Sequence, residues 1–142
     1  MRKLLFMALM VLGIMANAQT IAFTTSNGQA TDTVTNTGTD YAQLLTNNKY
    51  DLVTITGVFT KISGTLGGTA TLQGSNDGTN FESVNTGVMW NASASAAYTV
   101  TNTTGSQVNT WHLKGNPFKY YRISWTGTGT MVGSIKGYAT LR

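Results

Sequence analysis

The 142-residue sequence contains no cysteine, a single proline (Pro117), a single histidine (His112) and only five carboxylate side chains. The absence of cysteine excludes a disulfide framework, a thiol nucleophile and Cys-ligated metal, so stability has to come from packing and from sheet hydrogen bonds. One histidine leaves one candidate base for a nucleophilic triad. His112 sits between Trp111 and Leu113 in a strand-like run, where a structural or exposed strand residue is the simpler reading. No G-x-S-x-G, H-E-x-x-H or phosphate-loop spacing occurs, and few acids are available to face one another across a cleft. No enzymatic activity, no cofactor and no metal are therefore expected. Helical periodicity is also scarce: Asp40–Leu45 is the best candidate, and it allows one or two turns or a strand-connecting loop.

Charge is sparse as well. Beyond residue 18 the cations Lys49, Lys61, Lys114, Lys119, Arg122, Lys136 and Arg142 face the acids Asp32, Asp40, Asp51, Asp77 and Glu82. So near a balance argues against the basic stripe that binds nucleic acid and against an anionic lipid surface. The N-terminus reads differently. Arg2 and Lys3 precede an unbroken apolar run from Leu4 to Met15 and the small-residue triplet Ala16-Asn17-Ala18, the pattern of a secretory signal peptide cleaved after Ala18. The run is shorter than the roughly 20 residues a spanning helix needs. The reading is residues 1–18 as signal and 19–142 as a single domain, secreted or at the cell surface, with no membrane association once the signal is removed.

Threonine makes up about one residue in five, and 16 glycines accompany it. Thr, Val, Ile and aromatic residues favour pleated, half-buried surfaces, while Gly, Asn and Asp supply turns, so the chain reads as strands joined by short loops. From Tyr50 to Ile62, Val53, Ile55 and Phe59 alternate with Leu52, Val58 and Ile62, which predicts a central strand apolar on both faces. Thr69–Gly74 follows with Leu72 inward. Asn76-Asp77-Gly78 then predicts a tight hairpin with Phe81–Val84 returning. Tyr98 and Val100 share one face, Gln107–Leu113 is strand-like, and Tyr121, Ile123 and Trp125 alternate against Tyr120, Arg122 and Ser124. Met131, Gly133, Ile135, Gly137, Ala139 and Leu141 form one face of the last strand. Seven or eight strands at this spacing predict an all-β, antiparallel two-sheet sandwich, jelly-roll-like, with an immunoglobulin-like arrangement as the alternative. Residues 19–40, poor in large apolar side chains, are expected to be an edge strand or a flexible lead.

Two stretches resemble known proteins. Thr71-Leu72-Gln73-Gly74-Ser75-Asn76-Asp77-Gly78-Thr79-Asn80-Phe81-Glu82-Ser83-Val84 resembles a hairpin of discoidin-like (coagulation factor 5/8 C-terminal type) galactose-binding sandwiches, and Phe118-Lys119-Tyr120-Tyr121-Arg122-Ile123 resembles one of their strands. The same signatures, followed by Trp125-Thr126-Gly127-Thr128-Gly129-Thr130 and a closing strand, are similar to short β-sandwich proteins of Bacteroidetes and their phages. The resemblance implies a non-catalytic sandwich used for attachment or as a virion or cell-surface building block. It transfers no ligand residues, because the discoidin Cys pair is missing and the N-terminal half is short.

The most promising site chemistry is aromatic. Sugar faces stack on Trp and Tyr rings while neutral Asn, Thr and Gln satisfy hydroxyls. Trp90 stands out because it falls in a long Asn/Gly/Ser/Ala connection, where it is either exposed for binding or tucked over the end of the sandwich. Trp111, Trp125, Tyr98 and Tyr121 read as core. Asn76, Asp77 and Asn80 gather oxygen atoms in one turn, but calcium wants six to eight ligands, and local bonding to the backbone is the plainer role. The ligand-binding candidates are therefore Trp90, Asn76, Asp77 and Asn80. The expected partner is a glycan or cell-surface polymer; the alternative is a homo-oligomer or virion proteins, as a decoration, fibre or surface-assembly component.

Overall fold

The structure, a computed structural model, describes residues 18–25, 28–47, 50–90 and 95–142. The expected signal sequence, apart from Ala18, lies outside the described residues, as does the segment 91–94 that follows Trp90. The described residues form eleven strands: β1 (Gln19–Ala22), β2 (Thr24–Thr25), β3 (Asp32–Thr35), β4 (Thr39–Leu45), β5 (Leu52–Gly64), β6 (Gly68–Ser75), β7 (Glu82–Ser83), β8 (Ala97–Val100), β9 (Ser106–Lys114), β10 (Tyr120–Gly127) and β11 (Met131–Leu141). One sheet runs β1-β11-β5-β9, and the other runs β2-β4-β10-β6-β7. β3 lies on the same edge of β11 as β1, against Val132–Ile135, while β1 pairs with Tyr138–Leu141. β8 flanks the Gly68–Thr71 end of β6. Every pairing is antiparallel, and the chain crosses between sheets from β5 to β6 and again on each side of β10. The result is the jelly-roll-like sandwich that the alternating pattern predicts.

The strand count exceeds seven or eight because several pieces are very short. Residues 19–40 alone supply β1, β2 and β3, and they bury Phe23 and Val34 completely or nearly so. Asp40–Leu45, the best helical candidate, lies in β4: Ala42 and Leu44 point inward, Tyr41 and Gln43 outward, and Thr39–Leu45 pairs with β10 along its full length. Propensity in so short a run is overridden by the ladder on offer. β5 is central in its sheet, between β11 and β9, yet only the Val53, Ile55 and Phe59 face is covered. Leu52 and Ile62 on the other side are exposed, because a two-layer sandwich has nothing to place over an outer face.

Between the sheets, Trp125 meets Phe59 edge to face at 5.5 Å, and Phe59 stacks on Tyr98 at 5.6 Å. Trp111 is buried and donates its Nε1–H to the Ser95 carbonyl at 3.1 Å. β11 leaves room for two rings by carrying glycine, Gly133 opposite Trp125 and Gly137 beside Phe23. A β-carbon on Gly133 would run into the Trp125 ring and come within 2.7 Å of Leu66 Cδ1, and one on Gly137 would lie 2.7 Å from Phe23 Cγ. Two polar atoms in this interior, Tyr121 Oη and Trp125 Nε1, have no hydrogen-bond partner among the described residues. Burial drives the Tyr121 phenol pKa well above its ordinary value of 10, and the Phe118 backbone beside it offsets this only in part.

Gly133→Ala should cost about 1–3 kcal/mol through overpacking against Trp125, read as a lower denaturant midpoint; an unchanged midpoint would mean that the layers have slack there. Tyr121→Phe removes a hydroxyl that no partner satisfies, so stability at neutral pH should hold or rise. The folded state favours the neutral phenol, whose pKa is raised above the unfolded value. That contribution is complete below about pH 10 and is lost as pH climbs beyond it, so the Phe variant should resist alkaline unfolding better than the parent.

Candidate functional site

Strand alternation builds a groove on the outer face of the first sheet. Because Trp111 and Leu113 of β9 point inward, His112 points outward; Leu52 and Thr54 of β5 and Thr140 of β11 do the same. The register sets Thr140 beside Thr54 and Thr54 beside His112. Arg142 extends the row beyond β11, its backbone exchanging two 3.1 Å bonds with Leu52. A short 3-10 turn (Thr86–Val88), capped by Asn85 Oδ1 accepting from Gly87 N at 2.8 Å, then brings the chain alongside β9. Met89 bridges to Leu113 and is buried, and the Trp90 amide donates to the His112 carbonyl at 2.8 Å. With Met89 turned in, the Trp90 side chain is 64% exposed.

Leu52, Thr54, Trp90, His112, Thr140 and Arg142 line a groove of about 610 Å³, within the range of small-molecule sites. It offers one aromatic wall, two hydroxyls and two nitrogen-bearing side chains. Thr54 Oγ1 lies 3.3 Å from His112 Nδ1, fixing the imidazole against the strand. The structure thus places Trp90 outward, one of the two positions its sequence context allowed. His112, Thr54, Thr140 and Arg142 were not anticipated as its neighbours. The signal for them was their shared outward parity, which becomes a site only once β11, β5 and β9 are known to be adjacent.

Asn76, Asp77 and Asn80 come together elsewhere, in the connection between β6 and β7 of the second sheet. The connection is a six-residue loop, wider than the tight hairpin expected, with Gly78 at φ +77° over the Tyr120 ring. Asp77 holds it: Oδ1 accepts from the backbone amides of Thr79 and Asn80 and from Ser75 Oγ, each at 2.8 Å, and Oδ2 accepts from Asn80 Nδ2 at 2.7 Å. These bonds, led by that from the Asn80 amide, hold the carboxyl well below the usual carboxylate range. Asn76 Oδ1 accepts from the Lys119 amide at 3.3 Å. Asp77 thus bonds local backbone, Asn80 bonds Asp77 and Asn76 ties the loop to the start of β10, and with Phe81 and Glu82 they border a shallow cleft of about 340 Å³. Trp90 lines a different groove, so the four candidate residues form two places. Among the described residues no group of three or more His, Asp or Glu side chains is arranged to hold a metal ion, and no helix is long and apolar enough to cross a membrane.

No protein-family model and no curated protein sequence matches the chain. Its fold is similar to that of several solved structures. The enzymatically active domain of tailspike protein 4 from bacteriophage CBA120 aligns over 92% of this chain and 20% of its own, with 10% identity and a TM-score of 0.52. The PBSX exported protein XepA aligns over 87% of this chain and 36% of its own, with 12% identity and a TM-score of 0.50. The C-terminal family 22 carbohydrate-binding module of Clostridium thermocellum Xyn10B aligns over 91% and 88%, with 15% identity and a TM-score of 0.45. The chain spans well under half the length of the first two.

Proposed function

We propose that the chain is an exported, non-enzymatic attachment module that binds a glycan surface through the Trp90 groove. The observation that carries this reading is the 64% exposure of Trp90, fixed at the wall of a groove whose other polar groups are hydroxyls, an imidazole and a guanidinium. An indole left in water and held by a backbone bond is an unused apolar surface, and the apolar face of a sugar ring laid on it removes that surface from water. Thr54 and Thr140 stand where ring hydroxyls would need partners.

Trp90 is also its own probe, because Trp111 and Trp125 are 2% and 0% exposed. Iodide should quench one indole of three, and a bound polysaccharide should protect that one. Trp90→Ala should weaken polysaccharide binding roughly tenfold, about 1.4 kcal/mol, without lowering thermal stability; retention of full affinity by the variant would remove the groove from consideration.

A second reading, a structural component of a virion or surface assembly, has support from the first sheet's outer face. Val108 of β9 is 57% exposed there, with Ile62 of β5 and Tyr138 of β11 also exposed on the same face, and β9 pairs on one side with β5 and, among the described residues, on the other only through the Met89 bridge. Light scattering of the chain from Gln19 onward checks it: self-association rising with concentration is expected, and a strict monomer at millimolar concentration counts against it.

A further inference from the structure

Among the described residues, Arg122 is the one charged side chain that the strands of the second sheet direct to its outer face. Across those strands the register sets Thr24, Gln43, Arg122, Gln73 and Ser83 in a single row, all pointing away from the core. Of the five carboxylates, Asp32 and Asp40 occupy inward positions on β3 and β4, Asp51 precedes β5 in the other sheet, Asp77 is bonded within its loop, and Glu82, on the edge strand β7, is exposed and borders the cleft beside Phe81 with Asp77. Arg122 is nonetheless partly buried and firmly held. Its Cζ sits 4.1 Å from the centroid of Phe81 and 5.2 Å from that of Tyr41, and Nε donates to Gln73 Oε1 at 2.6 Å. That is its single side-chain hydrogen bond among the described residues, so neither Nη group has an acceptor among them. Burial pushes its pKa down, with only Tyr41 acting the other way.

A guanidinium fixed between two rings and partly stripped of water, with no carboxylate bonded to it among the described residues, is set up to receive an anion. Its planar fork matches a carboxylate in bidentate fashion. The flanking groups narrow the class. Gln43 and Gln73 amides and the hydroxyls of Thr24, Ser83 and Ser124 suit neutral hydroxyls beside the anion, whereas one isolated cation on a low-charge face does not make the basic track of a phosphate polymer. We infer that Arg122 is the anion-binding centre of a second site, separate from the Trp90 groove, and that its ligand is a uronic-acid residue of an acidic polysaccharide. The loop that Asp77 ties together ends on Phe81, which is how that turn serves the site.

The test titrates the full chain with oligomers of galacturonic, glucuronic and mannuronic acid and with the neutral oligomers of the same length. At least one acidic oligomer should bind at least tenfold more tightly than its neutral counterpart, with the preference shrinking as salt rises. Arg122→Gln should abolish the preference, and Arg122→Lys, which keeps the charge but not the fork, should lose most of it. Gln43→Ala should weaken acidic-oligomer binding without disturbing the packing of Arg122, which keeps the test sound if the arginine variants fold poorly. Trp90→Ala should leave the preference intact, so a failure of the Trp90 groove does not count here. Equal binding of acidic and neutral oligomers, a preference that survives Arg122→Gln, or tighter binding of polyphosphate or single-stranded DNA would overturn the assignment.

Discussion

Everything outside the core depends on how closely two sheets can approach when one of them carries bulky rings. β10 contributes Tyr121, Ile123 and Trp125 in succession to the interior, and β11 answers across the gap with Gly133 opposite the Trp125 ring, while Gly137 leaves room for Phe23, its neighbour along the same sheet. Side chains interdigitate at close-packed density only when large residues on one layer meet small ones on the other, and here the small partner of Trp125 is a glycine whose β-carbon would collide with the indole. Glycine within a strand weakens it for entropic reasons. β11 tolerates two because it is paired on both sides, by β5 along its whole length and by β1 and β3 in turn on the other edge.

That closeness settles the interior and leaves both outer faces to chemistry. With no third layer, the even-numbered residues 52–60 of β5, up to the register shift that skips Ile62, and 132–140 of β11 lie on the outer face. On the first sheet threonines pair across strands, Thr56 with Thr110 at 3.3 Å and Thr60 with Ser106 at 2.7 Å. Such ladders stabilise neighbouring strands by a few tenths of a kcal/mol to about 1 kcal/mol each while keeping the surface neutral. A surface of this kind repels nothing strongly. The exceptions to this pattern include the exposed indole of Trp90 and the cations Lys114 and Lys136 on one face and Arg122 on the other.

Most of the fold could be read from alternation, and the misreadings share a cause. Val53, Ile55, Phe59, Tyr121, Ile123 and Trp125 declare their face because each is large and apolar and each is followed by a smaller or polar residue. Asp40–Leu45 does not, since a run with Ala and paired Leu suits a helical turn as well as a strand, and only the neighbouring β10 decides. The β6–β7 loop was recognised as a turn but drawn too tight: Asp-Gly signals positive φ, whereas the carboxylate bonds that widen the loop involve residues two and three positions ahead. The sites were the least legible part. Trp90 could be singled out by its context, but the groove around it unites residues more than 80 positions apart, from Leu52 to Thr140, and period-two reading fixes a side chain's face without fixing its neighbour.

Arg122 shows the same limit from the other side. In sequence it is one of several strand-face cations, and its alternation with Tyr121 and Ile123 says only that it points outward. What distinguishes it is the row it occupies and the ring arriving above it from a loop about forty residues earlier. The hydrogen bonds of Asn76, Asp77 and Asn80 are spent on one another and on backbone, which ties the loop down and holds Phe81 over the guanidinium. Order already present in the free protein is order that binding does not have to create. A tied-down turn can thus set a ring against a residue on another strand.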